Sequence, residues 1–290
     1  MRLALTSREG QRDPSTWAAL PGLCCQAAGG DARTAGPVAA AWLLFYTAAA
    51  IMDHVEDAEQ PDPWWAELGA GAAINAATGL YFSACLALSD LDAWLDDAAA
   101  ASEIRSQVLG RFLVMCSGQH LDLTQKKPSL EQYWQLARAK SGAFFTLACW
   151  AGARLATAQE EALEGYSQFG EHAGLLVQIL DDLEELRDLE KGMPKGGLAG
   201  LSHALPVIYV REVSPAPVKA HFDDLLSRST FDPGDAREIL EIVESSGGAL
   251  YLLSELEKHR ILALEGLQRS GAIQPAKGRL VALLEHFTPG

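Results

Sequence analysis

Between Ala35 and Met52 the chain runs 18 residues without a charge, and between Leu68 and Ser89 it runs 22. Such runs belong either to helices that cross a membrane or to helices buried in a large helical domain. Both runs are rich in Ala and Gly, the second carries Asn75 and Thr78, and the first leads straight into an acidic cluster. A membrane span needs about 20 strongly apolar residues, with basic rather than acidic flanks. The expectation is therefore two buried helices and no transmembrane segment.

The rest of the chain reads the same way. Long Ala- and Leu-rich stretches dominate, β-branched residues are sparse, and Pro and Gly gather in short clusters, so the predicted class is all-α. Breaks are expected at Gly29 to Pro37, Glu59 to Trp65, Thr124 to Ser129, Glu190 to Gly197, Ser214 to Pro217, Phe231 to Asp235 and Glu244 to Gly248. Ser129 with Gln132 three residues on forms a capping-box pattern, Asp232-Pro233 is a helix start, and Pro206 kinks or begins a helix. No repeat and no shift in composition divides the chain. A single domain over residues 1–290 is expected, with residues 1–15 as a poorly ordered lead-in.

The formal charge of -15 and a pI near 4.8 argue against nucleic acid as a partner, which clustered Lys and Arg would have to hold. An acidic protein that handles phosphate needs metal ions instead. The five cysteines, Cys24, Cys25, Cys85, Cys116 and Cys149, are odd in number, lack CxxC spacing and sit in apolar surroundings. They read as buried free thiols of a cytoplasmic protein. The first residues contain no apolar core long enough for a signal peptide, so no export is expected.

Two acidic clusters stand out, each ending an apolar run. Asp53, Glu56 and Asp57 fall on one helical face, and Gln178, Asp181, Asp182, Glu185 and Asp188 follow helical spacing after Ala173 to Leu180. Either cluster taken alone also fits a solvated helix end. Together they suggest one cavity, apolar within and acidic at its mouth, offering the oxygen ligands that Mg²⁺ prefers. Gln119 and Asp122 at i, i+3 and Lys140 at the head of an apolar run complete the set; Lys140 is either a helix-start charge or a phosphate ligand. A carboxylate-bridged di-iron bundle would need Glu-x-x-His pairs, which no histidine here completes, and no G-x-x-x-x-G-K-[ST] loop is present.

In this order the elements resemble the trans-isoprenyl diphosphate synthases, the polyprenyl synthetases of the class I terpenoid synthase fold. Tyr46 to Asp57 is similar to that family's first aspartate-rich motif, Gly71 to Thr78 to its G-x-A-x-x-I-N-A-G-D segment, and Gly118 to Asp122 to its G-Q-x-x-D. Lys140 to Phe145 resembles K-T-A-x-L-F, Val177 to Glu185 resembles F-Q-I-x-D-D-x-x-D, and Ala204 to Tyr209 resembles the T-L-P-L-I-Y that follows. The resemblance implies an isoprenoid synthase fold: a bundle of long antiparallel helices around a deep apolar cavity, assembled as a homodimer. It implies up to three Mg²⁺ ions, held by Asp53 and Asp57 on one side and by Asp181, Asp182 and Glu185 on the other, that grip the diphosphate of an allylic prenyl substrate. Lys140 and Gln178 would contact that diphosphate, and Gln119 and Asp122 would orient the mouth. Phe144 would line the pocket. Ala48 and Ala49, one turn before the first motif, would leave the pocket deep, with Phe45 and Tyr46 as its floor and room for fifteen or more carbons.

Two departures bear on activity. His54 stands where the family has its second aspartate and is expected to hydrogen-bond a carboxylate or phosphate, while Glu185 replaces the last aspartate of the second motif. From Thr34 to Ile104, 71 residues, there is no Lys or Arg, and the family's G-G-K-R-x-R-P and R-R-G sequences, which hold isopentenyl diphosphate, have no counterpart. The expected function is a Mg²⁺-dependent prenyltransferase that ionises an allylic diphosphate and has an altered acceptor site. A class I terpene cyclase and a catalytically impaired regulatory subunit are the alternatives.

Overall fold

Helix ends fall where the sequence supplies caps. The computed structural model describes residues 17–56, 69–125, 127–192, 197–228 and 232–286; Asp57, the expected lead-in and the whole break at Glu59 to Trp65 lie outside them. Helix α1 (Leu20–Ala27) starts with Pro21 in its first turn and is followed by a 3-10 turn (Ala32–Ala35), which Asp31 caps by accepting from the Arg33 amide. The two uncharged runs form α2 (Gly36–Glu56) and α3 (Gly69–Ser89). Asp97 caps α4 (Ala98–Thr124) by accepting from the Ala99 and Ala100 amides. Ser129 and Gln132 form the reciprocal capping box of α5 (Leu130–Ala137).

From α5 the chain passes through one π-helical turn (Arg138–Gly142) into α6 (Ala143–Arg154) without a break. Helix α7 (Glu160–Glu190) is 31 residues long, about 46 Å at 1.5 Å per residue. Pro206 lies in the first turn of α8 (Leu205–Val213), so it begins a helix rather than kinking one. Helices α9 (Ala216–Leu226), α10 (Pro233–Ser245, capped by Asp232), α11 (Gly248–Arg269) and α12 (Ala276–His286) complete the bundle. Gly247 adopts φ 82° between α10 and α11, a left-handed conformation that favours glycine. No strand occurs among the described residues.

Helix α7 is the centre of the packing, with α6 on one side and α11 on another, while α2 lies along α3 and α1 along α6. These helices approach closely because glycines stand at the crossings. A Cβ at Gly170 would strike the Phe145 carbonyl of α6, one at Gly174 would strike the Ser141 carbonyl of the π turn, and Gly165 faces Gly266 and Ser270 at the end of α11. The largest apolar cluster takes in Trp17 near one end of the chain and Leu284 near the other; a second gathers Leu186, Leu189 and residues of α8, α9 and α10.

Two expectations about burial are corrected. Helix α3 fully buries only Ala73, Ala77, Ala84 and Leu88, with Leu80, Tyr81 and Ala87 packed partly buried beside them, and leaves Phe82 and Leu86 67% and 69% exposed. Its Ala- and Gly-rich composition is apolar on every side, so nothing in it marks which face is buried. The helical segments Ala32–Glu56 and Gly69–Trp94 are both long and apolar enough to cross a membrane, with 44% and 22% of their most apolar windows buried. Of the cysteines, Cys24, Cys25 and Cys149 are buried, but Cys85 on α3 and Cys116 on α4 are exposed; all five are free.

Candidate active site

The first acidic cluster ends α2 opposite the last turns of α4. Gln119 of α4 donates from one amide nitrogen to Asp53 Oδ1 (2.9 Å) and Glu56 Oε2 (3.0 Å), so one side chain spans two carboxylates. Three residues on, Asp122 accepts from Lys140 Nζ at 2.7 Å, and the same ammonium lies 3.6 Å from Asp53 Oδ1. Lys140 reaches this place because it sits in the π turn, whose extra residue swings it to the α4 side. A single ammonium thus stands between two carboxylates. It is the balancing cation that the acidic run itself lacks.

The next residue of the π turn faces the second cluster. Ser141 donates to Gln178 Oε1 of α7 (2.9 Å), and the Gln178 amide reaches Asp182 Oδ1 at 3.4 Å. Consecutive residues, Lys140 and Ser141, therefore touch the two acidic walls. Asp181 and Glu185 are half-buried on α7, whereas Asp182, 3% exposed, turns inward. Its Oδ2 accepts from the Tyr133 hydroxyl (2.6 Å) and from the Leu205 amide (2.9 Å), tying α5 and the start of α8 to α7. Burial pushes its carboxyl up to about 7 despite these donors, and burial, reinforced by Asp182, raises Tyr133 well above an ordinary tyrosine.

Aromatic rings gather below the mouth. Phe45 lies eight residues before Asp53, roughly 12 Å deeper along α2. It stacks on Phe112 of α4 with centroids 3.6 Å apart, and Tyr46 and Trp42 stack on Phe144 at 5.8 and 4.4 Å. The Trp42 indole donates to the Phe144 carbonyl, fixing α2 to α6. The structure thus brings Phe45, Tyr46 and Phe144 together. Ala49 packs against this main cluster, but Ala48 is buried with Ile51 against Ala73 and Ala77 of α3. His54 Nδ1 donates to the Ala50 carbonyl of its own helix (2.6 Å).

The residues present suit a hard divalent cation. Half-buried and exposed carboxylates project from the end of α2 and from α7, and among the described residues no group of three or more His, Cys, Asp or Glu side chains is gathered tightly enough to cage a metal. An ion at this mouth would rely on one or two carboxylates per site plus water and substrate oxygens, the arrangement Mg²⁺ accepts. Sequence reasoning did not find Tyr133, Ser141 or Phe112 as parts of this region. Their partners Gln178, Asp182 and Phe45 are 37 or more residues away along the chain, and no periodic pattern marks them.

Known proteins show the same architecture. A solved polyprenyl synthetase from Streptomyces coelicolor superposes with a TM-score of 0.82 at 21% identity, over 93% of this chain and 83% of that one. A geranylgeranyl diphosphate synthase from Mycobacterium tuberculosis is 30% identical over 173 residues, 57% of this chain and 48% of the relative. The tryptophan prenyltransferase ComQ of Bacillus subtilis subsp. natto is 30% identical over 140 residues, 48% of this chain and 41% of that protein. The matches thus span less than half the length of both relatives. The profile of the polyprenyl synthetase family matches residues 18–243, most of the chain, which therefore belongs to that family.

Proposed function

We propose that the chain is a Mg²⁺-dependent prenyltransferase that ionises an allylic prenyl diphosphate and passes the prenyl group to an acceptor lacking a diphosphate. The observation that carries this reading is the π turn, whose Lys140 reaches the first acidic wall while Ser141 reaches the second through Gln178. Magnesium bound between the walls would supply positive charge to stabilise the departing pyrophosphate. Asp53 and Asp181 would hold it from either side, with Asp57 and Glu185 assisting. Lys140 and Gln178 would bind the diphosphate oxygens, and Gln119 would orient Asp53. The aromatic floor of Phe45, Tyr46 and Phe144 would exclude water from the allylic cation.

An acceptor without a diphosphate follows from the charges. No Lys or Arg occurs from Thr34 to Ile104, so α2 and α3 offer no guanidinium to a second diphosphate. One relative is named for prenylating tryptophan, and an indole is an acceptor of this kind. A second copy of the chain is the proposed cover for the apolar face made by Phe82 and Leu86 of α3 and Leu113 of α4, the last 71% exposed; a monomeric mass in sedimentation would remove that part.

Pyrophosphate release from allylic diphosphates of ten to twenty carbons tests the whole reading. Assays with Mg²⁺ would be run alone, with isopentenyl diphosphate, and with a tryptophan-containing peptide. Release that requires the peptide is the expected result. Release that requires isopentenyl diphosphate means elongation, release without any acceptor favours the cyclase reading, and no release with any substrate sinks the enzyme.

A further inference from the structure

His203 lies in the connection between α7 and α8, half-buried and outside the residues assigned above. Its Nε2 is 2.8 Å from the Gln125 carbonyl, at the C-terminal end of α4. A carbonyl only accepts, so Nε2 carries the hydrogen. The other ring nitrogen, Nδ1, lies 3.5 Å from Asp122 Oδ1, on the side of that carboxylate away from Lys140, which takes Oδ2; this ion pair forms when the ring is protonated at both nitrogens.

Followed around the mouth, the polar contacts close on themselves. Asp122 joins α4 to Lys140; Ser141, the next residue, joins the π turn to Gln178; Gln178 reaches Asp182 on its own helix. Asp182 accepts from the Leu205 amide, and two residues before Leu205 is His203, which returns to Asp122. The ring passes through α4, the π turn, α7 and the α7–α8 connection. A second tie secures that connection from outside: Arg211 donates to the Ser202 carbonyl (2.9 Å) and to Asp223, which also binds Lys127. A carboxylate held by one cation alone can turn about its χ2 bond. Held at its second oxygen by the protonated His203 ring as well, it gives Lys140 one place to stand.

We infer that His203 is a positioning residue of the mouth, closing the polar ring through Asp122 and so fixing Lys140 for the diphosphate. This rests on the prenyltransferase reading. Two substitutions separate its two contacts, because an asparagine amide nitrogen falls near the place of Nδ1 and a glutamine amide nitrogen near that of Nε2. His203→Asn keeps a donor towards Asp122, and His203→Gln keeps the one towards Gln125.

The experiment measures pyrophosphate release from farnesyl diphosphate with Mg²⁺ and the tryptophan-containing peptide, and binding of inorganic pyrophosphate with Mg²⁺ by calorimetry, alongside thermal melts. His203→Ala should raise KM and weaken pyrophosphate binding about tenfold with kcat little changed, the pattern of a lost binding contact. His203→Asn should restore both to within about twofold, while His203→Gln behaves like alanine. In an Asp122→Asn background, His203→Ala should add nothing further. Rescue by Gln rather than Asn, additive effects in the double variant, or a lowered melting temperature with KM unchanged would each overturn the inference and leave a purely structural tie. A wild-type protein that neither binds pyrophosphate nor releases it from any allylic diphosphate instead overturns the functional reading, and the inference with it.

Discussion

Asp53 at the end of α2 and Asp182 within α7 are both aspartates of acidic clusters that follow apolar helix, yet they live in different surroundings. The Asp53 side chain is 47% exposed and shares its oxygen with a glutamine and a lysine whose other contacts also lie at the mouth. Asp182 is buried and bound to a tyrosine hydroxyl and a backbone amide that belong to other helices. The first can exchange its partners for a cation and water at modest cost. The second would leave two buried donors unsatisfied if it moved. The described carboxylates of the first cluster, Asp53 and Glu56, are thus open to a ligand, while the other cluster is divided between a rim, Asp181 and Glu185, and an internal tie.

Substitutions can break that division. We predict the largest effect for Asp181→Ala, the rim position of the second cluster: pyrophosphate release should fall roughly a thousandfold with the melting temperature nearly unchanged. Activity surviving this change would remove α7 from the chemistry. Asp53→Ala should cost about a hundredfold, because Glu56 remains within reach of Gln119 to share the load. A loss equal to that of Asp181→Ala would mean that the two walls are not unequal after all. Asp182→Ala should act on the fold instead, lowering unfolding free energy in urea by about 2 kcal/mol as Tyr133 and Leu205 lose their acceptor. If that variant keeps wild-type stability and loses activity, Asp182 is a ligand and the comparison fails.

A third polar cluster, beside the π turn's Arg138, supplies a comparison. His172 of α7 and His259 of α11 approach at 2.9 Å between their Nδ1 atoms, with Glu255, Lys258 and Arg138 around them and Trp134 against the His259 ring. Burial first, then the charge of His172, pushes His259 down to about 3 from an ordinary 6.5. Its value is depressed in the folded chain, so the unfolded chain takes up the proton first. Its contribution is complete above pH 6.5 and is lost as pH falls towards 3, by at most about 1.4 kcal/mol per pH unit. His259→Gln should therefore flatten the fall in urea midpoint between pH 6.5 and 4.5 without touching pyrophosphate release. An unchanged slope would place the acid sensitivity elsewhere.

What the sequence discloses here depends on range. The caps at Ser129 and Asp232 and both acidic clusters rest on neighbours within four residues, and they are legible without a structure. Asp181 and Asp182 look equivalent in sequence, but one residue is about 100° around a helix, and only the packing of α5 and α8 decides which faces inward. Lys140 is visible as a last charge before an apolar run; its reach to Asp53 depends on a π turn that no composition marks. The burial of α6 and the exposure of α3 could not be told apart, since both are uncharged in their middles and differ only in what packs against them.

The glycine crossings of α7 carry one more consequence. Backbone meets backbone at Gly165, Gly170 and Gly174, so this helix has no soft side-chain layer on which to slide past α6 or α11. It behaves as a stator. The wall carrying Asp181 is then a fixed reference, and whatever motion admits a substrate must come from the opposite side, where α2 ends and α3 leaves Phe82 and Leu86 uncovered.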